Sequence, residues 1–515
     1  MLATPAFADT PRTPVDPLRA YVRARAADAE GQVTQAAAEY GAALAARPDD
    51  PVIAVRALRE GLASGDMALV RRAGAVLRAA DVAPADVELL AFADAVVARD
   101  AAGQRTALAR LQGTPIAFLA PMLAEWTGAP PAAAEAAGGA VGRRYAAENR
   151  ALRLLSDRST QAEGLVALRT LLGTQGGDLD LRLNAAQLLA RGGDRAAAQA
   201  LLAGSDPVLT RTAATLGRGM KGDARFGISR LYARMAGDLS AEGTEPLAIM
   251  LTRAALVLDP RYSRARLALA DALGRSGADD AAQAALAAIP ADDPFAPSAA
   301  ALRINILARG GDIDAALGLA AAHAATDVTA QRRYADLLLE EGMARQAADA
   351  YADAVRRLGT QADWTLLLQY GAALDQAGQW AAALPVLQAA LVLAPQEPSV
   401  LNYLGYAMIE HGGDMAKATV LLEQAHRLAP KDAAITDSLG WARFRRGDVA
   451  AALPLIEEAA RAAPDDLEIN EHLGDVYWAS GRRIEARYAW TAAATFADGA
   501  DKARLTAKLA NGPAS

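Results

Sequence analysis

Ser438–Asp448 reads SLGWARFRRGD, and His472–Arg482 reads HLGDVYWASGR. Leu439-Gly440 recurs 34 residues on as Leu473-Gly474, and Gly447 recurs as Gly481. Self-similarity at a fixed period decides architecture ahead of any local feature. Counted from Ala433, one unit carries small residues at Gly440, Ala452 and Ala459, a turn at Gly447-Asp448 and a stop at Pro464. The next unit repeats them as Gly474, Gly481, Ala486 and Ala493. Towards the N-terminus come Gly405, Ala418, Ala425 and Pro430, in a unit lengthened by one residue in its turn HGGD, then Gly371, Gly378, Ala383, Ala390 and Pro395. Earlier still lie Gly342, Ala347, Tyr351 and Ala354, then Gly243, Ala248, Ala255 and Pro260, and near the start Gly31, Ala36, Tyr40, Ala43 and Pro48.

Each unit holds two stretches of about a dozen residues in which apolar side chains recur every three or four positions, the pattern of paired amphipathic helices. RGGD (twice), HGGD and RRGD sit between such stretches. There glycine ends one helix and aspartate caps the next, while proline after the second stretch blocks its continuation. Gly440 opposite Ala452 predicts a close approach of two backbones, and Ala459 predicts another towards the following unit.

This pattern resembles the tetratricopeptide repeat over residues 229–496, more loosely over 17–48, and in degenerate form between 51 and 220. The expected fold is therefore all-α, a superhelical solenoid of antiparallel helix pairs. The expected organisation is a signal-peptide remnant at 1–8, degenerate repeats at 9–220, a solenoid at 221–499 with its best-formed repeats at 361–496, and a helical cap or tail at 500–515. Composition agrees: 53% of residues are hydrophobic but only 5% aromatic, so alanine, a strong helix former, does most of the packing. A length of 515 residues ordinarily implies several domains. A solenoid escapes that rule because each unit contacts only its neighbours. The alanine-rich region before residue 220 is expected to melt before 361–496.

Charge and chemistry narrow the function. With 53 basic against 60 acidic residues, the net charge is −7, without the basic excess of a nucleic-acid binder. No run reaches the roughly 18–20 apolar residues of a membrane span. Zero cysteine removes disulfides, thiol catalysis and cysteine–metal sites. The four histidines, His323, His411, His426 and His472, lack zinc-protease spacing and read as solvated or packing residues. GRGMKG at Gly217–Gly222 matches a phosphate-loop pattern, but it follows helical RTAAT rather than a strand, so it reads as a loop between repeats. Arg446-Gly447-Asp448 is one repeat turn among many. No catalytic residue, metal ligand or cofactor is expected, and an enzyme is not.

Ala6-Phe7-Ala8, before a proline-rich segment, fits the end of a secretory signal with cleavage after Ala8. It predicts a periplasmic protein, with the cytoplasm as alternative. The last repeats resemble those of bacterial envelope-associated tetratricopeptide proteins, which act as adaptors. The resemblance implies a scaffold that holds a protein or peptide on its concave face, in peripheral association with an envelope complex. Alternatives are a cytoplasmic assembly scaffold, or an accessory subunit of a polysaccharide or peptidoglycan enzyme with Trp441 and Trp478 stacked on sugar.

The family's groove positions fall here on Asn402, Tyr403, Tyr406 and Glu410, then Asp437, Trp441, Phe444 and Arg445, then Glu471, His472, Asp475 and Trp478. The basic residues of the family's carboxylate clamp are missing from them. Of 25 aromatic residues, 12 lie between Trp364 and Phe496. Tyr477, Trp490 and Phe496 take packing positions, whereas Tyr406 and Trp441 are expected to face the groove. Large amphipathic rings in a groove are common anchors for a bound segment.

Overall fold

The computed structural model describes residues 16–129, 139–174 and 178–513. Ala6-Phe7-Ala8 lies outside the described residues. Within them the chain forms 29 α-helices and no strand, and no helix is long and apolar enough to cross a membrane. Two compact units divide at Ala316 and Leu317.

The second unit shows how the period becomes structure. Its pairs are Val328–Glu340 with Ala344–Leu358, Trp364–Gln376 with Trp380–Leu393, Pro398–Glu410 with Met415–Leu428, Ala433–Arg445 with Val449–Ala462, and Leu467–Ala479 with Arg483–Phe496. A further helix, Gly499–Asn511, packs on the last pair. Aspartates start the first helices: Asp432 and Asp466 each accept a hydrogen bond from the backbone N–H three residues on. Gly447 and Gly481 turn the chain with φ of 83°, a left-handed conformation that side chains resist.

Close helix approach is confirmed, with a different partner from the one expected. A Cβ added at Gly440 would lie 2.5 Å from Ile456, not against Ala452. The equivalent contacts are Gly371 on Leu387, Gly405 on Leu422 and Gly474 on Trp490, at 2.4, 2.8 and 2.3 Å. The reason is hairpin geometry: residues roughly equidistant from the turn meet, and Gly440 and Ile456 straddle Gly447-Asp448 almost evenly. Ala452 and Ala459 are fully buried, as are Ala418, Ala425, Ala486 and Ala493 in the same rows. Trp490 is fully buried as expected, but Phe496 is 53% exposed and is no core residue.

The first unit begins with pairs at 17–46, 51–79 and 87–111. Its chain order then departs from nearest-neighbour stacking. Glu245–Leu258 packs on Val87–Ala98 and Pro51–Ser64, far from it in sequence. Arg253 donates through Nε and Nη2 to the carbonyls of Leu62 and Ala63, both at 2.9 Å, closing the C-terminal end of Pro51–Ser64. The Tyr232 hydroxyl donates to the Leu89 carbonyl. Residues 120–215 form six helices between these partners, packed in part against Ala224–Asp238.

Candidate functional site

In the second unit the first helices of successive pairs lie side by side, so residues one period apart become lateral neighbours. The expected groove residues lie on these first helices, and most of them lace one repeat to the next, whereas Trp478 packs on Trp490 of its own pair, ring centroids 5.4 Å apart. Tyr403 donates to Asp375 Oδ2 at 3.1 Å, and His411 Nε2 lies 2.5 Å from Asp375 Oδ1. Glu410 Oε1 accepts from Trp441 Nε1 at 2.8 Å and from Arg445 Nη1 at 3.0 Å. Asp437 Oδ2 meets His472 Nδ1 at 2.7 Å.

The last rungs run to a helix that sequence reasoning placed only as a cap. Arg504 grips Glu471 with two bonds, of 2.9 and 2.7 Å, and Lys508 reaches both Glu471 and Asp475 at 2.7 Å. A signal for this was available: Arg504 and Lys508 are spaced four apart, like Glu471 and Asp475. Both ionic pairs have the same sequence offset, so Gly499–Asn511 runs parallel to Leu467–Ala479 and stands where another first helix would stand.

Trp441 differs most from expectation. It is only 8% exposed and belongs to a core cluster with Leu439 and Ile409. His472 from the next repeat stacks on it, centroids 3.9 Å apart and planes 13° apart, and Phe444 packs beside it at 5.1 Å. The position expected to be open is therefore closed, because the neighbouring repeat supplies a lid. Tyr406 is half-buried, 6.3 Å from His472, with its hydroxyl donating to Glu468 two repeats away. Trp478 lies beneath Arg483, whose guanidinium carbon is 4.2 Å from the ring centroid, and close to Gly512.

The electrostatics follow from this enclosure. Burial pushes the Tyr406 and Tyr403 phenols up, and the carboxylates of Glu468 and Asp375 respectively add to it. Burial opposes charge on Glu471, but Arg504 and Lys508 outweigh it and hold the carboxyl at about 2. Burial likewise works against a charged His472, yet Asp437 first, then Glu468 and Asp475, leave its imidazole above the ordinary value.

Two acceptors on this face are left over. Asn402 Oδ1 and Asp437 Oδ1 are buried without a hydrogen-bond partner among the described residues. They occupy equivalent positions on adjacent first helices.

Paired helices with glycine at the crossing, alanine rows between pairs and a 34-residue period make this an all-α repeat fold of the tetratricopeptide type. No protein-family model and no curated protein matches the chain. Among solved structures, the chain is similar to a tetratricopeptide repeat protein from Parabacteroides merdae (15% identity, TM-score 0.40), covering 48% of this chain and 97% of that one. It is also similar to TTC0263, a thermophilic TPR protein of Thermus thermophilus (20%, TM-score 0.32), covering 36% and 100%. A third is MamA from Desulfovibrio magneticus (21%, TM-score 0.28), covering 33% and 94%.

Proposed function

We propose that this chain is a non-enzymatic scaffold that receives a basic, donor-rich segment of a partner protein on the first-helix face of residues 398–479. The observation that carries the reading is the pair of unpartnered acceptors, Asn402 Oδ1 and Asp437 Oδ1. A buried acceptor without a donor costs about 1–3 kcal/mol, and a backbone N–H, lysine or arginine from a partner would recover it. The exposed carboxylate of Glu468, bonded to the neutral Tyr406 hydroxyl, favours a cationic segment over an acidic one, whereas Glu410 is already paired with Arg445.

The test is titration of the protein with a lysine- and arginine-rich peptide and with its charge-reversed counterpart. The basic peptide is expected to bind, and Asn402→Ala to weaken it by roughly 1–2 kcal/mol. Equal affinity for both peptides, or an Asn402→Ala variant that binds unchanged, would sink the proposal.

We further propose that the protein works in the bacterial periplasm, as a peripheral member of an envelope complex. Ala6-Phe7-Ala8 supports that reading. Protein recovered from its native host is expected in the periplasmic fraction with a mature terminus at Asp9. An intact Met1 in the cytoplasmic fraction would refute export.

A further inference from the structure

The first unit holds a cavity of about 360 Å³ between the helices Leu179–Gly192 and Pro207–Thr215 on one side and residues 230, 259–264 and 293–295 on the other. It belongs to a different unit from the first-helix face of residues 398–479. Its volume falls within the usual range for small-molecule sites. Three carboxylates and three guanidiniums line it, so the formal charge is balanced. Their hydrogen bonding is not.

The carboxylates are occupied from within. Asp259 accepts from Arg230 Nη1 at 2.6 Å and from the Arg261 backbone N–H at 3.2 Å. Asp293 accepts from the Ser263 hydroxyl at 2.6 Å and the Phe295 N–H at 2.8 Å. Both oxygens of Asp180 take the Arg264 Nε–H, at 2.9 and 3.1 Å.

The arginines keep donors in hand. Arg230 is 4% exposed, clamped between the rings of Phe226 and Tyr262 at 4.3 and 4.0 Å, and its Nε has no hydrogen-bond partner among the described residues. Arg264 bonds to Asp180 through Nε alone, so among the described residues its terminal nitrogens have no acceptor, with Nη2 beside Gly237. The Arg261 guanidinium, exposed at the cavity edge, has no acceptor among the described residues. On the facing wall, the Gln187 amide and the Thr212 hydroxyl are likewise without hydrogen-bond partners among the described residues.

We propose that this cavity binds a small ligand with an oxyanion on a hydroxylated body of sugar size, such as a sugar phosphate or a uronic acid. The oxyanion accepts from the Arg261 guanidinium, with Nη1 of Arg264 as a second donor, since guanidinium groups pair with carboxylate and phosphate. The hydroxyls exchange hydrogen bonds with Gln187 and Thr212, and the Tyr262 ring supplies an apolar wall. Arg230, held rigid by two rings and Asp259, fixes the floor. Charge balance means that the anion is selected by unpaired donors rather than by a positive field, so ligand geometry matters more than ligand charge.

Calorimetric titration of the full chain with glucose 6-phosphate, glucuronate, inorganic phosphate and glucose tests this. At least one of the two acidic sugars is expected to bind about tenfold or more tighter than glucose; which of them does so tells phosphate from carboxylate. Arg261→Gln, a change at an exposed and unpaired side chain, is expected to weaken that binding about tenfold with the melting temperature unchanged. Arg264→Gln should weaken it too, with some loss of stability from the broken contact to Asp180. Failure of both acidic sugars to bind at millimolar concentration overturns the proposal, as does binding indifferent to Arg261→Gln. Inorganic phosphate binding as tightly as the acidic sugars overturns the hydroxylated body.

Discussion

At the scale of single residues, Trp441 and His472 show how burial redirects chemistry. Trp441→Ala removes a ring stacked on His472 and bonded to Glu410, and leaves a cavity where Leu439 and Ile409 pack. The expected loss is about 3–5 kcal/mol, the range for large aromatic truncations in cores. Denaturant titration of the variant checks this, and a loss near zero would mean the ring is not core. His472 adds a pH dependence of definite sign. Its folded value lies above its unfolded one, so the stabilisation is complete below about 6.5 and disappears as pH rises through the folded value. The groups facing it are Asp437, Glu468, Asp475 and Tyr406. Unfolding free energy is expected to fall across that interval, and His472→Gln to flatten the fall. Equal slopes for both proteins would contradict the buried ion pair.

At the scale of helices, the decisive element is Gly499–Asn511. Lys508→Met keeps the stem that covers the neighbouring helix but withdraws the ammonium from Glu471 and Asp475. Removing one partner of a well-buried pair leaves the other uncompensated, and a loss on the order of 2 kcal/mol is expected. The pH signature runs opposite to that of His472. Glu471 is depressed to about 2, so its contribution is present above its ordinary value of 4.5 and vanishes as pH falls towards 2. Acid unfolding of Lys508→Met, followed by circular dichroism, should therefore begin at higher pH than in the parent. An unmoved acid midpoint would show that Arg504 alone holds Glu471. Helix pairs were legible in the sequence because turns and crossings depend on local residues: Gly447 must adopt positive φ, and Gly440 must admit Ile456. Partners across the face were not. A repeat position states which way Trp441 points, but whether His472, one repeat on, will close over it depends on the packing of a second helix.

At the scale of the whole molecule, the two units differ in how their contacts follow the chain. The second unit stacks in order, and local contacts favour fast, autonomous folding. Residues 317–513 expressed alone are expected to give a cooperative melt. The first unit joins Leu62 to Arg253 and Leu89 to Tyr232, so neither end is complete without the other. Residues 224–316 expressed alone should remain unfolded by circular dichroism, and full helicity with a sharp melt would show that the long-range seam is dispensable. No 34-residue ruler reveals such a seam, because the Arg253 guanidinium meets bare backbone carbonyls that carry no mark in the sequence. That seam also sets a schedule for biosynthesis. The helices Pro51–Ser64 and Val87–Ala98 leave the ribosome long before Glu245–Leu258 exists to cover them. At about 5–20 residues per second, the wait is roughly ten seconds or more. Throughout that interval their apolar flank stands uncovered, a surface for a chaperone to hold until the missing partner is made.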